Sequence, residues 1–210
     1  MFTTERVVMA MIGRPREFDR AQALKAAMLL FWRKGFAATS MSDLCDAMGV
    51  RSPSLYAAFG GKEALYLEAL DHYVRTVGPP VWDKLAEGAT ARDGVESLLM
   101  AATESLPESG TCPAGCMATL GAICDEWPAA IAEVVRTIRM GMLDMLRSRL
   151  TAGAAKGELP TTTDVEGLSR FYLGVFQGMA VQARDGAGPA ELKAIVRAAM
   201  SAWPSAERAE

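Results

Sequence analysis

The chain has 210 residues, of which half are hydrophobic, and a formal net charge of −3. This is enough apolar material for a sizeable core, and no apolar run approaches the roughly 18 residues that a membrane-spanning helix needs. Residues 1–12 are too short and too poorly charged for a signal peptide. We therefore predict a flexible leader there, a cytoplasmic location and no membrane partner.

Side chains for acid–base or covalent catalysis are scarce. The chain has one histidine, His72, and it contains no nucleophile elbow, phosphate-binding loop, dinucleotide fingerprint or zinc-protease motif. A single histidine on a helix is more often a surface or packing residue than a switch. We expect no enzymatic activity, no catalytic residue and no cofactor.

Charge is distributed unevenly along the chain. Residues 1–62 contain nine Lys or Arg residues against five acidic ones, a net of +4, whereas the remainder contains 13 against 20, a net of −7. A basic end concentrates the attraction for nucleic-acid phosphates in one place. By itself this asymmetry is weak evidence, and it gains weight only with a DNA-binding motif in the same region.

The first predicted elements are a basic arm and a helix. The arm at residues 13–16 could reach DNA or remain a solvated tail. The helix should begin after Asp19, a candidate N-cap, and continue to Lys34, with Gly35 ending it. Its apolar residues recur at helical spacing, which indicates a core without a chemical role.

A second, shorter helix is predicted after residue 40. Ser40 and Asp43 have the spacing of a capping box, so the helix should begin directly after Ser40. Gly49 should end it, because glycine adopts the left-handed conformation without steric penalty.

A third helix follows the glycine turn. Ser52 is a good N-cap and Pro53 would occupy the first helical position, so the helix should extend to Phe59. Two short helices around a glycine turn are typical of a helix-turn-helix, whose second helix enters the major groove of DNA.

Several motifs here have a recognisable spacing: FWRKGF at residues 31–36, TSM at 39–41, AMGV at 47–50, PSLY at 53–56, and Lys62 followed by Glu63. Over roughly residues 13–73 the chain resembles the N-terminal domain of the TetR (tetracycline-repressor) family of bacterial regulators. The resemblance implies an all-α homodimer. A three-helix helix-turn-helix DNA-binding domain at residues 13–62 would join a helical effector-binding and dimerisation domain at residues 63–205.

The expected partner of the first domain is double-stranded operator DNA. Side chains at the start of the third helix are best placed to meet base edges, and a helix N-terminus favours phosphate. The resemblance adds Tyr56 and Lys62 as phosphate contacts. The candidate DNA-binding residues are Thr39, Ser40, Arg51, Ser52, Pro53, Ser54, Tyr56 and Lys62.

The rest of the chain is predicted to be helical, with Pro and Gly at the breaks. A helix from Lys62 should end at about residue 78, and further helices are predicted at residues 92–106, 115–124, 128–152, 164–184 and 189–203. The resemblance implies that the last two helices form the homodimer interface. It also implies that the helix from Lys62 transmits motion from the effector-binding domain, or body, to the DNA-binding domain, or head.

A small-molecule effector pocket in the body is a further implication of the resemblance. Methionine and aromatic side chains suit irregular apolar ligands, although at helical spacing most such residues are plain core. Arg136 or Arg139 could anchor an anionic ligand or simply be solvated. The candidate ligand-binding residues are Met100, Cys116, Met117, Trp127, Met140, Phe171 and Tyr172, and Met142, Met145 and Phe176 are further candidates.

Three cysteines in the body allow a different reading. Cys112, Cys116 and Cys124 could converge as a thiol-redox or metal-responsive sensor. No histidine is nearby and the spacing matches no four-ligand metal site, so ordinary packing is the first interpretation and no metal site is assigned.

The sequence thus predicts a ligand-responsive DNA-binding transcriptional regulator. The main hypothesis is a repressor that releases a palindromic operator when a small molecule binds the body. The alternative is the same fold acting as a thiol or metal sensor.

Overall fold

The computed structural model describes residues 19–121 and 127–204. These residues form helices, apart from one isolated antiparallel bridge between Ser109 and Cys112. The helices are α1 (Arg20–Lys34), α2 (Met41–Met48), α3 (Ser52–Phe59), α4 (Lys62–Thr76), α5 (Pro79–Trp82), α6 (Lys84–Glu87), α7 (Ala91–Ser105), α8 (Met117–Leu120), α9 (Ala129–Ala155), α10 (Val165–Arg184) and α11 (Pro189–Ser201). The predicted all-α fold is confirmed. The predicted leader and basic arm lie outside the described residues.

Helix α1 has the ends that the sequence predicts. The Asp19 carboxylate accepts hydrogen bonds from the N–H groups of Ala21 and Gln22, both at 3.0 Å. At the other end the Gly35 N–H donates to the Phe31 carbonyl at 2.7 Å. Both ends depend on residues within four positions of each other, so the sequence alone was sufficient to place them.

Helix α2 begins with the predicted capping box. The Asp43 N–H donates to the Ser40 hydroxyl at 3.0 Å, and the Ser40 N–H donates to the Asp43 carboxylate at 2.9 Å. The Ser40 N–H, together with the Lys34 ammonium at 3.1 Å, lowers the pKa of Asp43 to about 2. Gly49 ends the helix with φ of 65°, the left-handed conformation expected of it.

Helix α3 begins one residue earlier than predicted. Arg51, with φ −87° and ψ 151°, is the N-cap, and its carbonyl accepts from the N–H groups of Ser54 and Leu55. Ser52 is therefore the first helical residue and Pro53 the second, where its missing N–H is equally harmless. The prediction of Ser52 as N-cap was wrong, and no side chain caps this helix.

The N-terminal helices form a bundle, which we call the head (α1–α3), and the first half of α4 closes its core. Leu44, Leu55 and Leu65, from α2, α3 and α4, are all completely buried, as is Ala69 one turn further along α4. Tyr66 of α4 packs edge-on against Phe31 of α1, with 5.0 Å between ring centroids. Helix α4 is thus part of the head core before it reaches the rest of the chain.

The body (α5–α11) is a layered helical bundle in which α7, α9, α10 and α11 pack on one another. Its long helices lie within three residues of the predicted ranges, but α5 and α6 were missed. Pro79 was read as a helix stop, whereas it stands in the first turn of α5, where proline is tolerated. Of the helix predicted at residues 115–124, the structure describes residues 115–121, of which Met117–Leu120 are helical and form α8. Across residues 19–121 and 127–204, no helix combines the length and hydrophobicity that crossing a bilayer requires.

Trp127 and Arg184 make contacts that fasten the head to the body. Trp127 lies against both Phe36 and Tyr66, at centroid distances of 5.6 and 5.4 Å. At the end of α10, the Arg184 guanidinium donates to the carbonyls of Trp32 at 2.8 Å and Arg33 at 3.1 Å. These carbonyls belong to the last turn of α1, where unpaired C=O groups carry partial negative charge, so Arg184 caps α1 from the body.

We expect the Arg184→Met substitution to lower the free energy of unfolding by about 1–2 kcal/mol, because the partly buried Trp32 carbonyl and the exposed Arg33 carbonyl lose a charged donor while the apolar stem is kept. The measurement is urea denaturation followed by circular dichroism, at matched protein concentrations. The control is Arg170→Met, which removes an exposed i,i+4 pair with Glu166 and should change stability by less than about 0.5 kcal/mol. Equal effects of the two substitutions would contradict the capping role.

Candidate functional site

The outer face of the helix-turn-helix is polar and open. On α3, Leu55 and Phe59 are buried, so the helix has an inner face fixed to the core and an outer face that is free. The outer face begins at the helix N-terminus, the end that enters the major groove in such motifs. Arg51, Ser52, Pro53, Ser54 and Tyr56 are exposed on it, Tyr56 by 51%.

The two residues predicted before α2 differ in their placement. Ser40 is exposed at the helix N-terminus, where a phosphate could be held. Thr39 is 1% exposed, and its hydroxyl donates to the Gly35 carbonyl at 2.6 Å while its N–H donates to the Phe36 carbonyl. Both donors of Thr39 are committed to the turn between α1 and α2, and its side chain does not lie on the exposed face.

Lys62, the last predicted DNA contact, stands at the start of α4. Its ammonium lies 4.3 Å from the centroid of the Phe36 ring, a cation–π arrangement, and partial burial lowers its pKa. The side chain is only partly exposed.

A contact that could not be predicted from the sequence holds α3, the recognition helix of the helix-turn-helix, in place. The Arg20 guanidinium forms a bidentate pair with Glu68 of α4, at 2.5 and 2.8 Å. The same group donates to the Ala58 carbonyl at 3.4 Å and covers the Phe59 ring at 4.5 Å. One arginine therefore links α1, the end of α3 and α4. Its partners are 38 or more residues away, so no local spacing signals the contact.

In the body, a cavity of about 460 Å³ lies where the C-terminal half of α4 meets α5, α9 and α10. This volume is within the range of small-molecule sites. Its wall is predominantly apolar, formed by Val77, Val81, Trp82, Ile138, Met142 and Phe176. Exposed residues at its edge, Val74, Asp83, Gly141 and Met145, show that it opens to the surface between α4 and α9.

The cavity has few polar groups. Tyr73 and Cys116 are both buried in its wall, Ser105 is partly exposed, and Asp83 is the charged group at the edge. Burial, and then the neighbouring Cys116 thiol, raise the pKa of Tyr73 well above its usual value. The tyrosine is therefore a neutral hydroxyl at physiological pH, next to a thiol and the Met117 backbone.

The predicted ligand residues are distributed over several places. Cys116 lines the main cavity, as do Met142, Met145 and Phe176 from the wider set. Met117 and Trp127 instead line a smaller cavity of about 280 Å³ between the head and the body.

The other four candidates lie outside the cavity at α4. Met100 and Met140 are exposed on the surface, and Tyr172 is completely buried with its hydroxyl donating to the Ala199 carbonyl at 3.3 Å. Phe171 is exposed and lines a separate cavity of about 500 Å³. Tyr73 and Trp82 were missed, because helical periodicity identifies an inward face without telling whether that face meets another helix or a void.

The body cysteines do not form a visible cluster. Cys112 is exposed and Cys116 is buried, and Cys124 lies outside the described residues. Among the residues that the structure describes, no three His, Cys, Asp or Glu side chains are grouped as metal ligands. The sensor alternative therefore gains no support from the described part of the chain.

The two arginines considered as anchors for an anion are also occupied elsewhere. Arg136 forms an exposed pair with Glu133 at 2.7 Å. Arg139 donates to the Gly121 carbonyl at 2.7 Å. Neither lines the main cavity.

Known proteins resemble both the head and the whole chain. The sequence model described as "Bacterial regulatory proteins, tetR family" matches residues 23–69. The transcriptional repressor ComR of Escherichia coli (strain K12) is 35% identical over 203 residues, which cover 91% of this chain and 92% of that protein. The repressor BdcR of the same organism is 40% identical over 109 residues, 52% of this chain and 55% of that protein.

A solved structure extends the similarity to three dimensions. A triple cysteine mutant of the TetR family regulator CifR, complexed with 26-base-pair operator DNA, has a TM-score of 0.85 and 40% identity. The match covers 91% of this chain and 100% of that one. With a helix-turn-helix at one end, a helical body at the other and relatives matched over almost its whole length, the chain belongs to the TetR family of DNA-binding transcriptional regulators.

Proposed function

We propose that this chain is a repressor that binds a palindromic operator as a homodimer and releases it when a small molecule occupies the body cavity. The observation that carries the proposal is the position of α4 (Lys62–Thr76). Leu65 and Tyr66 near its start are buried in the head core, whereas Tyr73 and Val74 near its end line the cavity. A ligand that displaces the end of this helix would also displace the head.

The DNA surface in this proposal is the outer face of α3 with the N-terminus of α2. Arg51 is exposed immediately before α3 and would reach a guanine or a phosphate, and the hydroxyls of Ser52, Ser54 and Tyr56 would contact the backbone or base edges. Ser40 and Lys62 are proposed as phosphate contacts. For Thr39 only an indirect role is proposed, which is to shape the turn that presents Ser40.

The homodimer would form through α10 and α11. Phe171 and Val181 of α10 are apolar side chains that are 44% and 45% exposed. Between them on the same face lie Gly174 and Gly178, and a Cβ added to either glycine would meet no atom within 4 Å. Small residues between exposed apolar ones allow close approach of another helix, and a short recognition helix needs a second half-site to bind tightly.

Release would follow from a shift between two arrangements of the dimer. A ligand shifts such an equilibrium only if it binds the two arrangements with different affinities. The cavity wall includes residues of α4, α5, α9 and α10, so a change in the packing of α4 would change the shape of the wall. The ligand would then bind the two arrangements with different affinities.

The decisive experiment for this proposal is a titration of duplexes from the region upstream of the chain's own gene, compared with random duplex at several salt concentrations. Specific, salt-sensitive binding of a dimer to a palindrome supports it. Equal affinity for palindrome and random duplex would overturn it.

We expect Arg51→Ala to weaken operator binding by about 10- to 100-fold, because a charged contact to base or phosphate is lost without disturbing the core. Fluorescence anisotropy with labelled operator measures the change. The control is Arg75→Ala, an exposed arginine of α4 that is paired with Asp71, which should retain operator affinity. If both variants bind like the parent, the Arg51 contact does not exist.

We expect Val181→Glu to raise the dimer dissociation constant by at least about tenfold, because a twofold interface would place the substituted carboxylates on both sides of one contact. Light scattering across a dilution series measures the assembly. The matched control is Val134→Glu, an apolar residue of α9 with 38% exposure. A fully dimeric Val181→Glu variant would place the interface elsewhere.

A further inference from the structure

We propose that the body cavity selects an uncharged, predominantly apolar molecule with one hydrogen-bonding group, and that it discriminates against carboxylates. This inference rests on the proposed function only in treating the bound molecule as the effector. Binding itself is independent of any effect on DNA.

The described side chains that line the cavity provide no positive charge. Among the described residues that line it, no side chain is basic, and Asp83 supplies the one carboxyl group. A carboxylate inside the cavity would therefore lose its hydration without gaining a counter-charge, which is strongly unfavourable.

The opening of the cavity is unfavourable for a carboxylate as well. An amphiphilic ligand could insert its apolar tail and leave its carboxylate in water at the opening. At that opening stands the exposed carboxylate of Asp83, and like charges repel at short range. An anionic group of the ligand is thus disfavoured both at the bottom of the cavity and at its opening, whereas an uncharged polar group is not.

The polar group of the ligand has one natural place. Tyr73 presents a neutral hydroxyl from a side chain that is only 6% exposed, beside Cys116, which is 3% exposed. The remaining wall is aliphatic, aromatic and thioether, and Trp82 packs on Phe176 with 5.1 Å between ring centroids. The Tyr73 hydroxyl is already hydrogen-bonded to the Cys116 side chain and to the Met117 backbone. A ligand hydroxyl would therefore donate to the remaining lone pair of the Tyr73 oxygen, and the apolar part of the ligand would lie against Trp82, Met142 and Phe176.

The test compares two probes with the same tail, 1-octanol and octanoate, by isothermal titration calorimetry at neutral pH with the full chain. We expect 1-octanol to bind at least about tenfold more tightly than octanoate. Octanoate binding as tightly as 1-octanol would overturn the inference, and so would a failure of 1-octanol to bind.

A pair of matched variants tests the assigned hydrogen bond. Tyr73→Phe keeps the ring, which packs edge-on against Trp32 at 4.9 Å, and removes only the hydroxyl. We expect it to weaken 1-octanol binding by about three- to tenfold. Tyr172→Phe removes another buried hydroxyl that lies outside the cavity and should leave the affinity unchanged. If the two variants behave alike, Tyr73 is not the polar anchor.

The same probes separate this inference from the release mechanism. If 1-octanol binds preferentially but does not change operator affinity, the ligand class stands and the release mechanism fails. If octanoate releases the operator while 1-octanol does not, the release mechanism stands and the ligand class fails.

Discussion

Helix α4 has to satisfy two hydrophobic cores at once. Its first turns complete the head, where Leu65 and Ala69 are completely buried, and its last turns form part of the cavity wall through Tyr73 and Val74. A 15-residue helix is short enough to move as a rigid unit, and packed interiors do not deform continuously. The relation between the head and the cavity is therefore determined by one helix rather than by a flexible connection.

The remaining contacts between head and body limit how α4 can move. Arg184 holds the last turn of α1, and Trp127 packs against Phe36 and Tyr66. Arg20 in turn ties α3 to α4 through Glu68. Because Arg20 holds the end of α3 against α4, a displacement of α4 would be passed to the recognition helix α3 through this contact.

The parts of the fold that could be predicted were those governed by neighbours in sequence. Asp19, the Ser40–Asp43 box and Gly49 act on residues at most four positions away, and all behave as expected. The exposed face of α3 followed from the burial of Leu55 and Phe59 at helical spacing. The N-cap of α3 was predicted one residue too late, at Ser52. The N-cap is Arg51, which occupies that position through its backbone alone, without a side-chain hydrogen bond.

The cavity was less accessible to sequence reasoning, since a void arises from the angles between helices. Of the seven candidate ligand residues, Cys116 alone lines it, whereas Phe171 and Met140 are on the surface. Trp82 was missed because the proline pair before it reads as a break, although proline at the start of a helix is compatible with the α5 turn. Local pattern thus predicted the exposed face of α3 better than the interior of the body.

The double role of α4 also restricts how this protein could be recombined with its relatives. A chimera joined at residue 62, where the helix-turn-helix ends by sequence, would take its Leu65, Tyr66 and Ala69 from the donor of the body. The core of the transplanted head would then contain α4 side chains from the other protein. The family match ends at residue 69, after these side chains, and a graft that follows this limit would move the head together with the part of α4 that completes it.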